Sequence, residues 1–324
     1  MEDKVLDGVL GVAVGDALGG PFQFKSRSDI AADPAEDMIS WDCYPAGTWS
    51  DDTSLTLALM DSLKNGRLDY CEIMDNFLKW LSHGAFTPTG SAFDIGGSCY
   101  QSIRRYAAGK EPLKCGSTGE YENGNGSIMR ILPAAFLVRS MFSDENISLD
   151  KPLLIVHNLS RLTHAHARSQ IGCGLYISSA CQILNHPEAD LKTNLSAGIK
   201  RAADWYQDQL EYKNDLKFYE RLFDLEALKK LPENKIKSSG YIVDTLEAAV
   251  WCLLTTQTFE AGLLKACNLG LDTDSIAAVE GGIAGIYYGR NSIPAGWLEK
   301  LAGREYIIDL CGKFSSALQK GIAL

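Results

Sequence analysis

Apolar side chains return at three- and four-residue intervals along most of this chain. The pattern holds over residues 6–18, 54–64, 70–81, 128–140, 168–184, 241–254, 259–268 and 276–288, and each stretch predicts a helix with an apolar face. Alternating runs bounded by hairpin turns are nearly absent. The expected fold is all-α. Turn-forming residues fill 22–47, 109–127 and 185–187, which predict loops, and the more charged segment 204–237 predicts a peripheral helical region. No shift in composition divides the chain, so 1–324 is expected to form a single domain.

Glycines interrupt the first and last of these helices in a regular way. Gly8, Gly11, Gly15 and Gly19 fall close to one stripe, and Gly281, Gly282 and Gly285 repeat the device near the end. Glycine in a helix interior costs about 1 kcal/mol relative to alanine, a cost that makes sense where another backbone passes very close. The G-x-G-x-x-G order and preceding strand of a dinucleotide site are missing, so the stripes predict tight helix packing beneath a site.

Composition narrows the partners. Of 324 residues, 46% are hydrophobic and 22% charged, an ordinary globular balance that excludes a disordered chain. Net charge is −10, and basic residues occur only as scattered pairs such as Arg104 with Arg105 and Lys229 with Lys230. Binding along a nucleic-acid backbone needs clustered Lys or Arg and is not expected. A single anionic ligand remains compatible, held by backbone amides or bound metal. The nine cysteines form no C-x-x-C pair and are odd in number, which predicts reduced, partly buried thiols. Met1-Glu2-Asp3 lacks the basic segment of a signal peptide, and no uninterrupted apolar stretch reads as long enough to cross a bilayer. The expected setting is the cytoplasm, without a membrane partner.

Two acidic clusters carry the chemistry: Ser50, Asp51, Asp52 and Thr53 near the front, Asp272, Thr273, Asp274 and Ser275 near the back. Each opens an apolar helical run. Carboxylates this dense repel one another, and a fold that buries them together needs positive charge, most economically divalent cations. Oxygen donors without nearby Cys or His suit Mg2+ or Mn2+. For either cluster alone, helix capping explains the same residues. Two clusters of matching composition favour metal. Asp94, Ile95, Gly96, Gly97 and Ser98 add a carboxylate ahead of an exposable backbone, and Asn123 to Ser127 lead into a helix expected to begin at Ile128. Thr163, His164, Ala165 and His166 place two histidines at i and i+2, which do not share a helical face, so a non-metal role fits at least one of them.

In this order the motifs Gly15-Asp16-Ala17-Leu18-Gly19, Trp49-Ser50-Asp51-Asp52-Thr53, Asp94-Ile95-Gly96, Asn125-Gly126-Ser127-Ile128-Met129-Arg130, Thr163-His164 and Asn268-Leu269-Gly270-Leu271-Asp272-Thr273-Asp274-Ser275 resemble those of the ADP-ribosylglycohydrolases. The resemblance runs through nearly the whole chain. It implies a compact, orthogonal all-α bundle with two divalent ions, Mg2+ or Mn2+, at the base of a cleft for ADP-ribose. The implied metal ligands are Ser50, Asp51 and Asp52 from one side and Asp272, Asp274 and Ser275 from the other. It further implies that Gly96, Gly97, Asn125, Gly126 and Ser127 receive the diphosphate, and that His164 contacts the distal ribose or orders a loop.

Two departures matter. Ser50 and Ser275 stand where the family commonly has Thr, and both keep an oxygen donor. Gln23 stands where many relatives have a glutamate that takes part in serine-linkage chemistry, and a carboxamide cannot accept a proton as a carboxylate does. Asp94, which by the resemblance matches the aspartate implicated in the family's arginine-linked bacterial enzymes, is then the expected acid/base residue. The implied activity is metal-dependent removal of ADP-ribose from a modified protein, most naturally an arginine-linked adduct, with ADP-ribose as product and a cognate ADP-ribosyltransferase as a possible partner. The alternatives are hydrolysis of another ADP-ribose derivative and a catalytically weak ADP-ribose-binding or toxin-neutralising protein.

Overall fold

The structure is a computed structural model that describes residues 2–142 and 148–323; Met1, 143–147 and Leu324 of the 1–324 unit lie outside the described residues. The first half carries α1 (Glu2–Gly19), α2 (Arg27–Ala32), α3 (Asp51–Leu63), α4 (Tyr70–His83), α5 (Gly97–Ala107), α6 (Pro133–Met141) and α7 (Asp150–Arg161). Then follow α8 (Ala167–Asn185), α9 (Leu191–Gln207), α10 (Lys213–Leu216), α11 (Leu225–Lys229) and α12 (Ile242–Thr255). The chain closes with α13 (Phe259–Asn268), α14 (Thr273–Tyr288), α15 (Ala295–Lys300) and α16 (Arg304–Lys320). Extended pairing among the described residues is confined to four isolated bridges, so the architecture is all-α.

All eight expected helices exist, and Phe259–Asn268 begins and ends where the apolar pattern does. Several starts shift by a few residues, and the largest displacement is at α6. The helix expected from Ile128 begins at Pro133, because proline lacks the N–H that only the first turn can spare and sets the φ of a helix start. Residues 126–130 are turns, so Asn123 to Ser127 do not open directly onto a helix N-terminus. The segment 204–237 is broken into short helices, including a 3-10 stretch at Lys217–Phe223.

The glycine stripes bring α1 and α14 into backbone contact. A Cβ on Gly11 would lie 2.0 Å from the carbonyl oxygen of Gly281, one on Gly15 2.1 Å from that of Ala277, and one on Gly285 2.2 Å from that of Asp7. Gly8 and Gly282 meet side chains instead, Ile286 and Tyr176 among them. The Thr273 hydroxyl completes the seam by donating to the Gly19 carbonyl at 2.8 Å.

Every residue from 7 to 22 is buried, which is why α1 is apolar all round. This corrects the expectation that nothing is long and apolar enough to cross a bilayer. Residues Asp3–Phe22 meet that test with a mean hydropathy of 1.3, but 94% of the window is buried inside the protein, as a core helix must be. All nine cysteines are free thiols.

Candidate functional site

The floor of the site begins with a residue whose role the local sequence did not reveal. Asp16, fully buried near the end of α1, accepts hydrogen bonds from the Ser50 amide at 2.8 and 3.0 Å, the Thr53 amide at 3.0 Å and the Thr53 hydroxyl at 2.6 Å. It caps α3 from another helix. Burial pushes its pKa up to about 6, with these four hydrogen bonds pulling the other way.

Because Asp16 satisfies those amides, the acidic cluster on α3 is released from capping. Ser50 occupies the cap position without a side-chain cap bond, and its hydroxyl points to Asp52 Oδ2 at 3.4 Å. The same holds at α14, where Asp272 occupies the cap position and makes no cap bond. Its carboxylate accepts instead from the Asn125 side-chain NH2, which also donates to Thr245 Oγ1 at 2.9 Å. Neither N-cap side chain therefore does the work that the capping explanation assigns to it.

Asp51, Asp52 and Asp274 are buried within one another's field. Burial first, then repulsion, holds all three well above the ordinary carboxylate range: Asp94 and Asp274 act on Asp51, Asp16 and Asp51 on Asp52, and Asp272 and Asp52 on Asp274. Burial brings Asp272 to about 6 against the Asn125 hydrogen bond. Asp52 Oδ1 and Asp274 Oδ1 are buried with no hydrogen-bond partner. An orphaned carboxylate oxygen inside a protein is costly, and two of them within one buried carboxylate cluster fit a hard divalent cation.

A cleft of about 300 Å3 opens above this floor, reaching Asp51, Asp272, Asp274 and Ser275. Asp94 lines it from a left-handed backbone (φ 54°), and its charge acts on Asp51, Asp52, Asp272 and Asp274. Gly96 and Gly97 line it at the start of α5, with no atom within 4 Å of where a Cβ would stand on either. Gln23 lines the cleft too.

Asn125, Gly126 and His164 form the facing wall. A Cβ on Gly126 would come within 2.8 Å of Cys99 Sγ and 3.0 Å of His164 Cε1, so this wall closes only over glycine. His164 Nδ1 pairs with Thr163 Oγ1 at 2.8 Å, and burial, then the nearby Arg130, lowers its pKa to about 3, leaving a neutral ring. Ser50, Asp52 and Ser127 lie beneath the surface rather than lining it; Ser127 is fully buried, with its hydroxyl 3.4 Å from Cys173 Sγ. Arg130, also unassigned from sequence, is a buried cation that donates to Thr163 Oγ1 at 2.8 Å and the Leu159 carbonyl at 3.3 Å and lies 5.0 Å from the Phe77 ring.

A second group, Glu120, His166 and Asp215, has ligand atoms within 4.8 Å of one another. It is not a metal site on its chemistry. The Arg168 guanidinium already lies between the carboxylates, 2.7 Å from Glu120 and 2.8 Å from Asp215. His166 Nδ1 accepts the Arg168 amide at the start of α8, which leaves Nε2 carrying the proton toward Glu120.

The chain matches the family model described as ADP-ribosylglycohydrolase over residues 1–322 and belongs to that family. It is similar to the ADP-ribosylarginine hydrolase Tri1 of Serratia proteamaculans (strain 568), 31% identical over 311 residues that cover 95% of this chain and 78% of the relative. It is also similar to the ADP-ribosyl-(dinitrogen reductase) glycohydrolase of Rhodospirillum rubrum, 31% identical over 306 residues, 93% of this chain and 91% of the relative. A solved structure titled ADP-ribosylglycohydrolase-related protein complex superposes with a TM-score of 0.78 at 27% identity, covering 98% of each chain. The chain is thus a hydrolytic enzyme of the ADP-ribosyl glycohydrolase type.

Proposed function

We propose that this protein removes ADP-ribose from arginine side chains of a modified protein, using two divalent cations, Mg2+ or Mn2+. The observation that carries the reading is the pair of orphaned oxygens on Asp52 and Asp274 within a buried carboxylate cluster under an open cleft. Ser50, Asp51, Asp52, Asp272, Asp274 and Ser275 would hold the cations. Bound there, such ions supply charge to orient ribose hydroxyls and stabilise charge developing at the scissile bond.

The chain's own groups divide the remaining work. Asp94, at the cleft surface beside the floor, transfers the proton at the anomeric centre. The open backbone at Gly96 and Gly97 and the wall at Gly126 receive the diphosphate, while Asn125 holds Asp272 in place. Neutral His164 offers a ring nitrogen at the cleft wall without adding charge. The arginine linkage is favoured by the activity named for the similar Serratia proteamaculans protein and by Gln23, whose carboxamide cannot act as the base.

The test is ADP-ribose release from an arginine-ADP-ribosylated protein with Mg2+ or Mn2+, read by mass spectrometry beside a chelated control. Release that persists after exhaustive chelation removes the cations from the reaction. Asp94→Asn is expected to lower turnover by roughly 10²- to 10⁴-fold while ADP-ribose binding is kept. A fully active variant eliminates Asp94 as the proton-transfer group.

A further inference from the structure

Five non-glycine residues among those described have a left-handed backbone: Phe24, Asp42, Phe86, Asp94 and Leu271. Phe24 and Asp94 both line the cleft, and Leu271 is paired to Phe24. The Phe24 amide donates to the Leu271 carbonyl at 2.6 Å, and the Leu271 amide returns to the Lys25 carbonyl at 2.8 Å. Their φ angles are 63° and 65°. Such a conformation costs a side-chain-bearing residue on the order of 1–3 kcal/mol and persists only where surrounding structure enforces it.

What the strained pair presents is an aromatic ring the fold does not use. Phe24 is 75% exposed and belongs to neither the core nor the side chains packed on it. Ile95, next to Asp94 on the same cleft, is also exposed. Apolar surface thus stands at the opening of a cleft whose floor is carboxylate. Leu271 immediately precedes Asp272, so the two backbone hydrogen bonds tie the ring's position to that floor.

We infer that Phe24 is a specificity-determining residue whose ring receives the guanidinium group of the departing arginine side chain, with Ile95 as a second apolar contact. The inference rests on the arginine-linked reading given above. A guanidinium is planar, permanently charged and weakly hydrated on its faces, so it gains from an aromatic face and from nearby negative charge together. A serine hydroxyl offers no such face. Holding the ring in place before substrate arrives lowers the ordering cost of that contact.

The experiment compares wild type with Phe24→Ala, Phe24→Leu and Phe24→Tyr on an arginine-ADP-ribosylated peptide, beside calorimetric binding of ADP-ribose, which lacks the leaving group. Phe24→Ala keeps the β-carbon, hence the backbone penalty, and removes an exposed ring, so thermal melting should not move. The expected result is a loss in kcat/KM of roughly threefold to thirtyfold for Ala, a similar loss for Leu, near-recovery with Tyr, and unchanged ADP-ribose affinity. Full activity in Phe24→Leu, or an equal fall in ADP-ribose affinity, overturns the assignment. A wild type that binds ADP-ribose but leaves the peptide intact defeats the arginine reading and this inference together. An active wild type matched by Phe24→Ala defeats the inference alone.

Discussion

Asp274 and Glu280 lie on the same helix, both deeply buried and both with carboxylate oxygens that no group satisfies. Their surroundings differ. Asp274 sits among Asp272, Asp52, Asp94 and Asp16, at the base of an open cleft. No other carboxylate raises Glu280; burial alone holds its carboxyl well above the ordinary range, and Oε1 fills the space a Cβ on Gly262 would need. A lone acid in such a place keeps its proton. Several acids sharing one charge field, with an entrance above them, are suited to trade protons for a cation. Number and access, more than burial, separate a site from an expensive core residue.

The largest expected break in that comparison is Asp274→Asn. On the proposed two-cation reading, removing a ligand should cost more than the roughly hundredfold that a residue merely orienting a ligand is worth, seen in metal occupancy and turnover together. In chelated protein the same change relieves repulsion, so its melting temperature should rise. Melting that falls in both conditions would show Asp274 to be structural.

Asn125→Ala should act next most strongly, because it frees Asp272 and removes the side-chain donor to Thr245 Oγ1. The expected loss is about 10- to 100-fold in metal affinity, measured by titration calorimetry. Unaltered affinity would mean that Asp272 needs no orientation.

Glu280→Gln probes the other side. Its carboxyl binds a proton more tightly folded than unfolded, so its contribution to stability is lost as pH rises from the ordinary carboxylate range through the folded value. Relative to the Gln variant, wild type should lose up to about 1.4 kcal/mol per pH unit over that window, with activity at fixed pH unchanged. Denaturant melts at pH 5 and 8 measure the difference, and a gap that does not widen with pH means Glu280 has a partner.

Much of this was legible in the chain because core helices repeat their pattern without interruption. Residues 259–268 coincide with α13, and the close helix packing expected of the glycine stripes is found, with α1 and α14 as each other's partner. The helices α9 and α16 are absent from the expected set because their buried stripes, though at helical spacing, lie on polar backgrounds of low overall hydrophobicity. Start positions depend on single residues, as Pro133 shows at α6. The acidic clusters were visible because their residues are adjacent. Asp16 was quoted only as part of a motif, since the amides it serves lie 34 and 37 residues away. Arg130 likewise bonds to oxygens supplied by distant segments.

The seam between α1 and α14 also sets a schedule. Gly19 and Thr273, which close it, are separated by 254 positions. At translation speeds of 5–20 residues per second, the first helix waits roughly 13–50 s for the partner that covers its glycine face. Through that interval the emerging polypeptide displays a segment as greasy as a membrane anchor. The carboxylates of α3 and α14 therefore come together only when synthesis is nearly over.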